Sequence, residues 1–134
     1  TGGLNNTPTD ALFITTSGNE WRSTRDDTLW ATEASANNPC PVGFRVPTLT
    51  EQNTLVTAAS ITNSATAASS TLKFTVPGNR NRSSGSLSSQ GVSGFYWSSS
   101  VNGASARTLD FYSTSAITNS GPRAHGFTVR CLKD

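Results

Sequence analysis

The chain has 134 residues, enough for one domain with a single core and too few for two. Charged residues make up 13% of it, about half the usual globular share, and 20 Ser, 20 Thr and 11 Asn fill the gap, a balance that disfavours long solvated helices and suits short strands and loops. The net charge is only +2, and Arg22, Arg25, Arg45, Arg80, Arg82, Arg107, Arg123 and Arg130 are scattered, so nucleic acid is not expected as a partner; no apolar run is long enough for membrane insertion.

Residues 1–10, TGGLNNTPTD, are turn formers with almost no apolar content and read as a tail or linker, leaving 11–134 as one domain. The first strand is expected over Ala11 to Thr16, with Leu12 and Ile14 on one face. The loop SGNEWRSTRDD holds Trp21 as an anchor, and ASANNPCPVG is a second loop. Thr48 followed three residues later by Glu51 forms a capping box ahead of a helix that buries Leu49, Leu55, Val56 and Ala59 and fades near Ser60. The Thr, Asn, Ser and Ala run from Ile61 to Ser70 leaves room for a second, weaker helical turn.

Beyond it the pattern is β. Leu72, Phe74 and Val76 alternate with Thr71, Lys73 and Thr75, and Pro77-Gly78 ends that strand. A long loop to residue 94 precedes strands at Phe95 to Ser99, Arg107 to Tyr112 and Gly126 to Leu132. In the second of these, Leu109 and Phe111 point one way and Thr108, Asp110 and Tyr112 the other, while Phe127, Val129 and Cys131 point inward from the third. Strands at both ends around one helix indicate an α+β domain with its N- and C-terminal strands adjacent.

Cys40 and Cys131 belong to no CxxC pair, and with a single histidine they cannot complete a structural zinc shell. A disulfide between them is the favoured reading; it would place the chain in an oxidising compartment, and the alternative is two buried free thiols. Enzymatic signals are thin. The sole histidine, His125 in GPRAHG, has no positioned nucleophile evident in sequence, and an exposed loop side chain is its plainer reading. The carboxylates form no calcium loop, and no phosphate-binding glycine motif is present, so neither metal nor cofactor is expected.

At residues 38–55 the segment NPCPVGFRVPTLTEQNTL resembles the NPCPxGFRLPTxxEWNxL pattern of the Fibrobacter succinogenes major paralogous domain family. The likeness continues in FITTSGNEWRSTRDDTLW, in LKFTVPGNRNRSSGSLSSQGVSGFYWSSSV and in ARTLDFYSTSAITNSGPRAHGFTVRCLKD, in the family's order and over nearly all of the chain after residue 10. The resemblance implies a C-type-lectin-like fold with one main helix, short antiparallel strands and long loops. Gln52 stands where the family usually shows Trp. Trp97 is followed by Ser98 and Ser99, not by the Asn-Asp of calcium-dependent sugar-binding lectins, so calcium-dependent sugar binding is not inherited. The related formylglycine-generating enzymes need reactive cysteines, and none is to spare.

Some members of this fold resemble the variable proteins of diversity-generating retroelements, whose C-terminal residues are rewritten at adenines, mainly in Asn codons. From Gly94 to Cys131 there is no Lys, Glu, Gln or Met, in keeping with such rewriting. Scaffold-like residues alternate there with positions of unrelated character: Asn102, Ala104, Ser105, Thr108, Asp110, Tyr112, Ser115, Ile117, Asn119, Gly121, Pro122 and His125. These are the expected ligand-binding residues, with Tyr112 and Ile117 as apolar anchors and Asn102, Asp110, Asn119 and His125 supplying polar specificity. The expectation is a non-enzymatic recognition module on a cell or virion surface that binds a protein or glycan on another surface. The alternative is a structural or adhesion domain of a bacterial envelope protein with no specific site.

Overall fold

The computed structural model describes residues 12–134; the tail expected over residues 1–10, together with Ala11, lies outside them. Among the described residues the chain is a mixed α+β structure with two helices and three small antiparallel sheets. β1 (Phe44–Arg45) is followed by α1 (Leu49–Ala58) and α2 (Ser64–Ser69). The two-residue strands β2 (Asn79–Arg80) and β3 (Leu87–Ser88) form a hairpin. β4 (Gly94–Asn102), β5 (Ser105–Phe111) and β6 (Ala116–Pro122) form the main sheet in that order, and β7 (Leu132–Lys133) returns to pair with β1.

α1 forms where its local signals place it. The Thr48 side chain accepts the Glu51 N–H at 3.3 Å while Glu51 Oε2 accepts the Thr48 N–H at 2.8 Å, closing the capping box. At the other end Ser60 adopts a left-handed φ of 53°, which stops the helix at the expected place. The buried stripe differs from expectation. Leu49, Leu55, Val56 and Ala59 are only half-buried, and the one fully buried residue of α1 is Gln52. Its Nε2 donates to the Trp97 carbonyl at 2.9 Å, tying the helix to β4 by a polar contact. The second helical turn in 61–70 is present as α2, capped by Asn63, whose Oδ1 accepts the Thr66 N–H at 2.9 Å.

Three expected strands are not formed as read. Residues 12–16 carry no strand, because Thr16 donates its N–H to the carbonyl of Arg82 at 2.8 Å, in a turn region that offers no extended edge. The neighbour of the last strand is instead β1, with Phe44 opposite Lys133 and Arg45 opposite Leu132. Residues 71–76 keep the alternation in burial, Phe74 being buried and Thr71, Lys73 and Thr75 exposed, yet no ladder forms. Lys73 turns to a φ of 49°, Phe74 N–H goes back to the Ala67 carbonyl at 3.2 Å, and Thr75 N–H goes to the Tyr96 hydroxyl at 3.0 Å. Residues 126–132 make isolated bridges to two different strands, Gly126 to Arg80 and Thr128 to Tyr96, so the segment pairs continuously only at its end. The strands expected at 95–99 and 107–112 are present as the longer β4 and the slightly shifted β5.

The core lies between the helices and one face of the main sheet, where Ile61, Ala67, Phe74, Tyr96, Leu109 and Phe111 are buried together. Phe74 meets Tyr96 edge to face and Phe111 at a tilt, each at 5.0 Å between ring centroids. The other face carries a second aromatic layer. Phe127 stacks on Phe95 at 5.2 Å and tilts against Trp97 at 4.5 Å.

A disulfide joins Cys40 to Cys131, which resolves the choice between a bridge and free thiols. Beside it Arg45 holds Glu51 through both carboxylate oxygens, at 2.8 and 2.6 Å, and holds Asp134 at 2.7 Å. Hydrogen bonds from Arg45 lead the causes that depress the Glu51 carboxyl from 4.5 to about 2. A carboxyl depressed on folding adds stability above its unfolded value, and that contribution is lost as the pH falls from 4.5 through about 2. Glu51→Gln is therefore expected to flatten the acid unfolding limb in that window, and an unchanged limb by circular dichroism would contradict the assignment. Replacing both cysteines with Ser is expected to lower stability by roughly 4 to 5 kcal/mol in urea unfolding, the loop-closure value for a bridge this far apart in sequence.

Candidate functional site

The twelve expected site residues do not share one outward face. β5 pairs with β4 on one side and β6 on the other, with Thr108 between Trp97 and Asn119, and Asp110 between Phe95 and Ile117. Because Phe127 covers both Phe95 and Trp97, this face is closed over much of its extent. Thr108 is 1% exposed and Asp110 3%, so the solvated surface expected of 108 and 110 is instead an interior layer. Gly121 is buried too, and a Cβ there would lie 2.6 Å from the Phe127 ring, so the position is fixed by packing.

The others lie as follows. Asn102 ends β4 on the opposite face, exposed, with its Nδ2 donating to the Ser120 hydroxyl at 2.8 Å. Ala104 is exposed in the β4–β5 turn, Ser105 opens β5 half-buried, and Pro122 closes β6 half-buried opposite Ser105. Ser115 is half-buried in the turn before β6, where its carbonyl accepts the Tyr112 N–H at 2.8 Å. His125, expected as an exposed loop side chain, is half-buried and stacks on Phe127 at 5.3 Å with the rings 5° apart. Its Nδ1 accepts the Arg82 N–H at 3.3 Å, and burial is the main reason its pKa falls below 6.5.

Four of the expected residues do converge. Asp110 Oδ2 accepts from the Tyr112 hydroxyl at 3.3 Å and from Asn119 Nδ2 at 3.2 Å, and Ile117 stands directly across from Asp110. Tyr112 packs edge to face on Phe95 at 5.9 Å. The Asn119 amide is used at both ends, since its Oδ1 accepts the Ser120 N–H at 2.8 Å. With Pro122 lacking an N–H, that contact blunts the β6 edge against pairing with another strand. The outcome is a small amphipathic patch in which Ile117 and Asn119 are exposed and Tyr112 half-buried, over a buried carboxylate that fixes the Tyr112 and Asn119 side chains.

A second feature was not read from the sequence. A pocket of about 210 Å³ opens between the irregular segment 20–37 and the β4–β5 end of the sheet, and Trp21, Trp30 and Trp97 all line it. Arg123 fastens the segment to the sheet: it pairs with Asp27 at 2.6 Å and Glu20 at 3.7 Å and donates to the carbonyls of Asp26 and Gly103. The available signal was the presence of two large amphipathic rings, Trp21 and Trp30, in an otherwise polar stretch. Among the described residues, no group of three His, Cys, Asp or Glu side chains is placed to hold a metal ion.

Burial pushes the Asp110 carboxyl above 3.8, against the pull of hydrogen bonds from Thr108, Asn119 and Tyr112. A carboxyl raised on folding opposes stability when ionised; the penalty is absent below 3.8 and complete once the pH exceeds the raised value. Relative to Asp110→Asn, the native chain should therefore gain stability as the pH falls from neutral towards 3.8, measured by thermal melts across that range. A difference that does not change with pH would contradict the burial of this charge. No family model, curated protein or solved structure matches the chain.

Proposed function

We propose that the chain is a non-enzymatic recognition module of C-type-lectin-like fold, displayed on a cell or virion surface, whose C-terminal face is rewritten by a diversity-generating retroelement. The observation that carries the reading is the convergence of Tyr112, Ile117 and Asn119 around buried Asp110 on a sheet fixed on both sides by aromatic packing. Rigid aromatic and amide side chains give contact area at low cost in conformational entropy, as in paratopes. The contact set narrows to Ala104, Tyr112, Ser115, Ile117 and Asn119, with Thr108, Asp110 and Gly121 serving beneath it and Asn102 left on the opposite face.

A disulfide closing most of the chain suits an oxidising, extracytoplasmic setting, and among the described residues no helix is long and apolar enough to cross a membrane. The target is a protein or glycan on another surface. Two results are expected. The coding segment for residues 94–131 should have a near-copy that differs at adenines, beside a reverse-transcriptase gene. When labelled protein is applied to arrayed cells and glycans, Tyr112→Ala combined with Ile117→Ser should weaken capture about tenfold or more in a variant that near-UV circular dichroism shows to be folded, with its melting temperature lowered by the lost Tyr112 contacts to Phe95 and Asp110. Undiminished capture by the folded double variant would contradict the placement of the surface.

A further inference from the structure

Trp21, Trp30 and Trp97, all the tryptophans of the chain, line the pocket between segment 20–37 and the sheet, and the same three rings also border a second cavity with Leu12, Phe13 and Ile14. Trp97 is buried and held by Phe127, whereas Trp21 and Trp30 are half-buried on a segment with no regular structure. A sheet residue and two loop residues thus supply electron-rich aromatic walls to a small concavity. At about 210 Å³ it is below the roughly 300 to 1,000 Å³ of sites for drug-sized ligands, so it suits a compact head group.

Charge decides the sign of that group. The lining holds the carboxylates of Glu20, Asp26 and Asp27; Arg123 pairs with Glu20 and Asp27 and Arg25 also pairs with Asp27 at 3.4 Å, which leaves Asp26 as the lining carboxylate that forms no ion pair among the described residues. Arg123 is committed to Asp27, Glu20 and backbone carbonyls, which leaves it poorly placed to receive an anion. Glu20 Oε2 is buried and accepts no hydrogen bond among the described residues, its one charged neighbour there being the Arg123 guanidinium at 3.7 Å. Asp26 is held below its usual range, first by the hydrogen bonds from Thr28, so it is ionised at neutral pH. The Arg22 guanidinium already lies over the Trp21 ring at 5.6 Å, a cation on an aromatic face at this site.

We propose that this pocket binds a quaternary or fully methylated ammonium group. Such a group carries its charge without N–H donors, so it gains from tryptophan faces and nearby carboxylates and does not need the close acceptors that a primary ammonium requires. A lipid or glycan head group and a methylated lysine present the same chemistry. This site shares Trp97 with the aromatic layer beneath the patch around Asp110, so it is tested at Trp30 and Asp26, which take no part in that patch.

The test is titration of the native, disulfide-bonded protein with choline chloride at constant ionic strength, read by tryptophan fluorescence, with 3,3-dimethylbutan-1-ol as the uncharged isostere. Saturable binding to choline in the millimolar range or tighter is expected, with the isostere about tenfold weaker. Trp30→Ala should weaken choline binding about tenfold, Trp30→Phe should restore part of it, and Asp26→Asn should weaken it several-fold. Near-UV circular dichroism and the melting temperature identify any variant that has failed to fold. Phosphatidylcholine vesicles and a trimethyllysine peptide then show which source is captured, and capture of either supports the site. No saturable response to choline, equal binding of the isostere, or full binding by folded Trp30→Ala would overturn the proposal.

Discussion

The clasp between the approach to α1 and the last strand is the constraint on which the other contacts depend. The Cys40–Cys131 bridge, the β1–β7 pairing and the Arg45 contacts to Glu51 and Asp134 all lie at one place, where the chain enters its first helix and leaves its last strand. A chain with 34% hydrophobic residues and, among the described residues, two helices and seven short or moderate strands has few ladder bonds and a small core to offset its ordering entropy. Covalent closure lowers the entropy of the unfolded chain, and Arg45 couples the same place to the cap of α1. Loops as long as 20–37 can then be retained in fixed positions with little regular structure of their own.

From the clasp the order passes to the sheet, and both faces of that sheet are used. One face meets the helices through Phe74, Tyr96, Leu109 and Phe111. The other is closed by Phe127, which the C-terminal segment delivers between Phe95 and Trp97. Burial of Asp110 on this second face carries an electrostatic cost, and the carboxylate in return fixes Tyr112 and Asn119. Trp97 belongs to both regions, packed under Phe127 and exposed by one side to the pocket, so the same aromatic layer supports the patch and the pocket.

Local signals were the legible ones. The capping box of Thr48 and Glu51 gave α1 its start, and the alternation through residues 107–112 placed β5, because both depend on neighbours in sequence. β6 was hidden: Ala116–Pro122 has one large apolar residue, and its register is set by pairing with β5. Residues 71–76 show the reverse, a true alternation in burial whose backbone partners come from α2 and Tyr96 and not from a neighbouring strand. Thr108 and Asp110 read as solvated because their polarity is visible in sequence while the cover over them, Phe127, arrives from a distant segment. Trp21 and Trp30 gave no periodic signal, and only the fold shows that they meet Trp97.

The central claim is a fixed framework that carries an exchangeable face, and saturation substitution of residues 94–131 with a readout of folding alone tests it most directly. Protease resistance of displayed variants with the disulfide intact supplies that readout. A fixed framework predicts broad tolerance at Asn102, Ala104, Tyr112, Ser115, Ile117 and Asn119, and loss of folding for most substitutions at Thr108, Leu109, Phe111 and Gly121. Gly121 and Thr108 proving as tolerant as Ile117, or Ile117 and Asn119 as intolerant as Phe111, would contradict it.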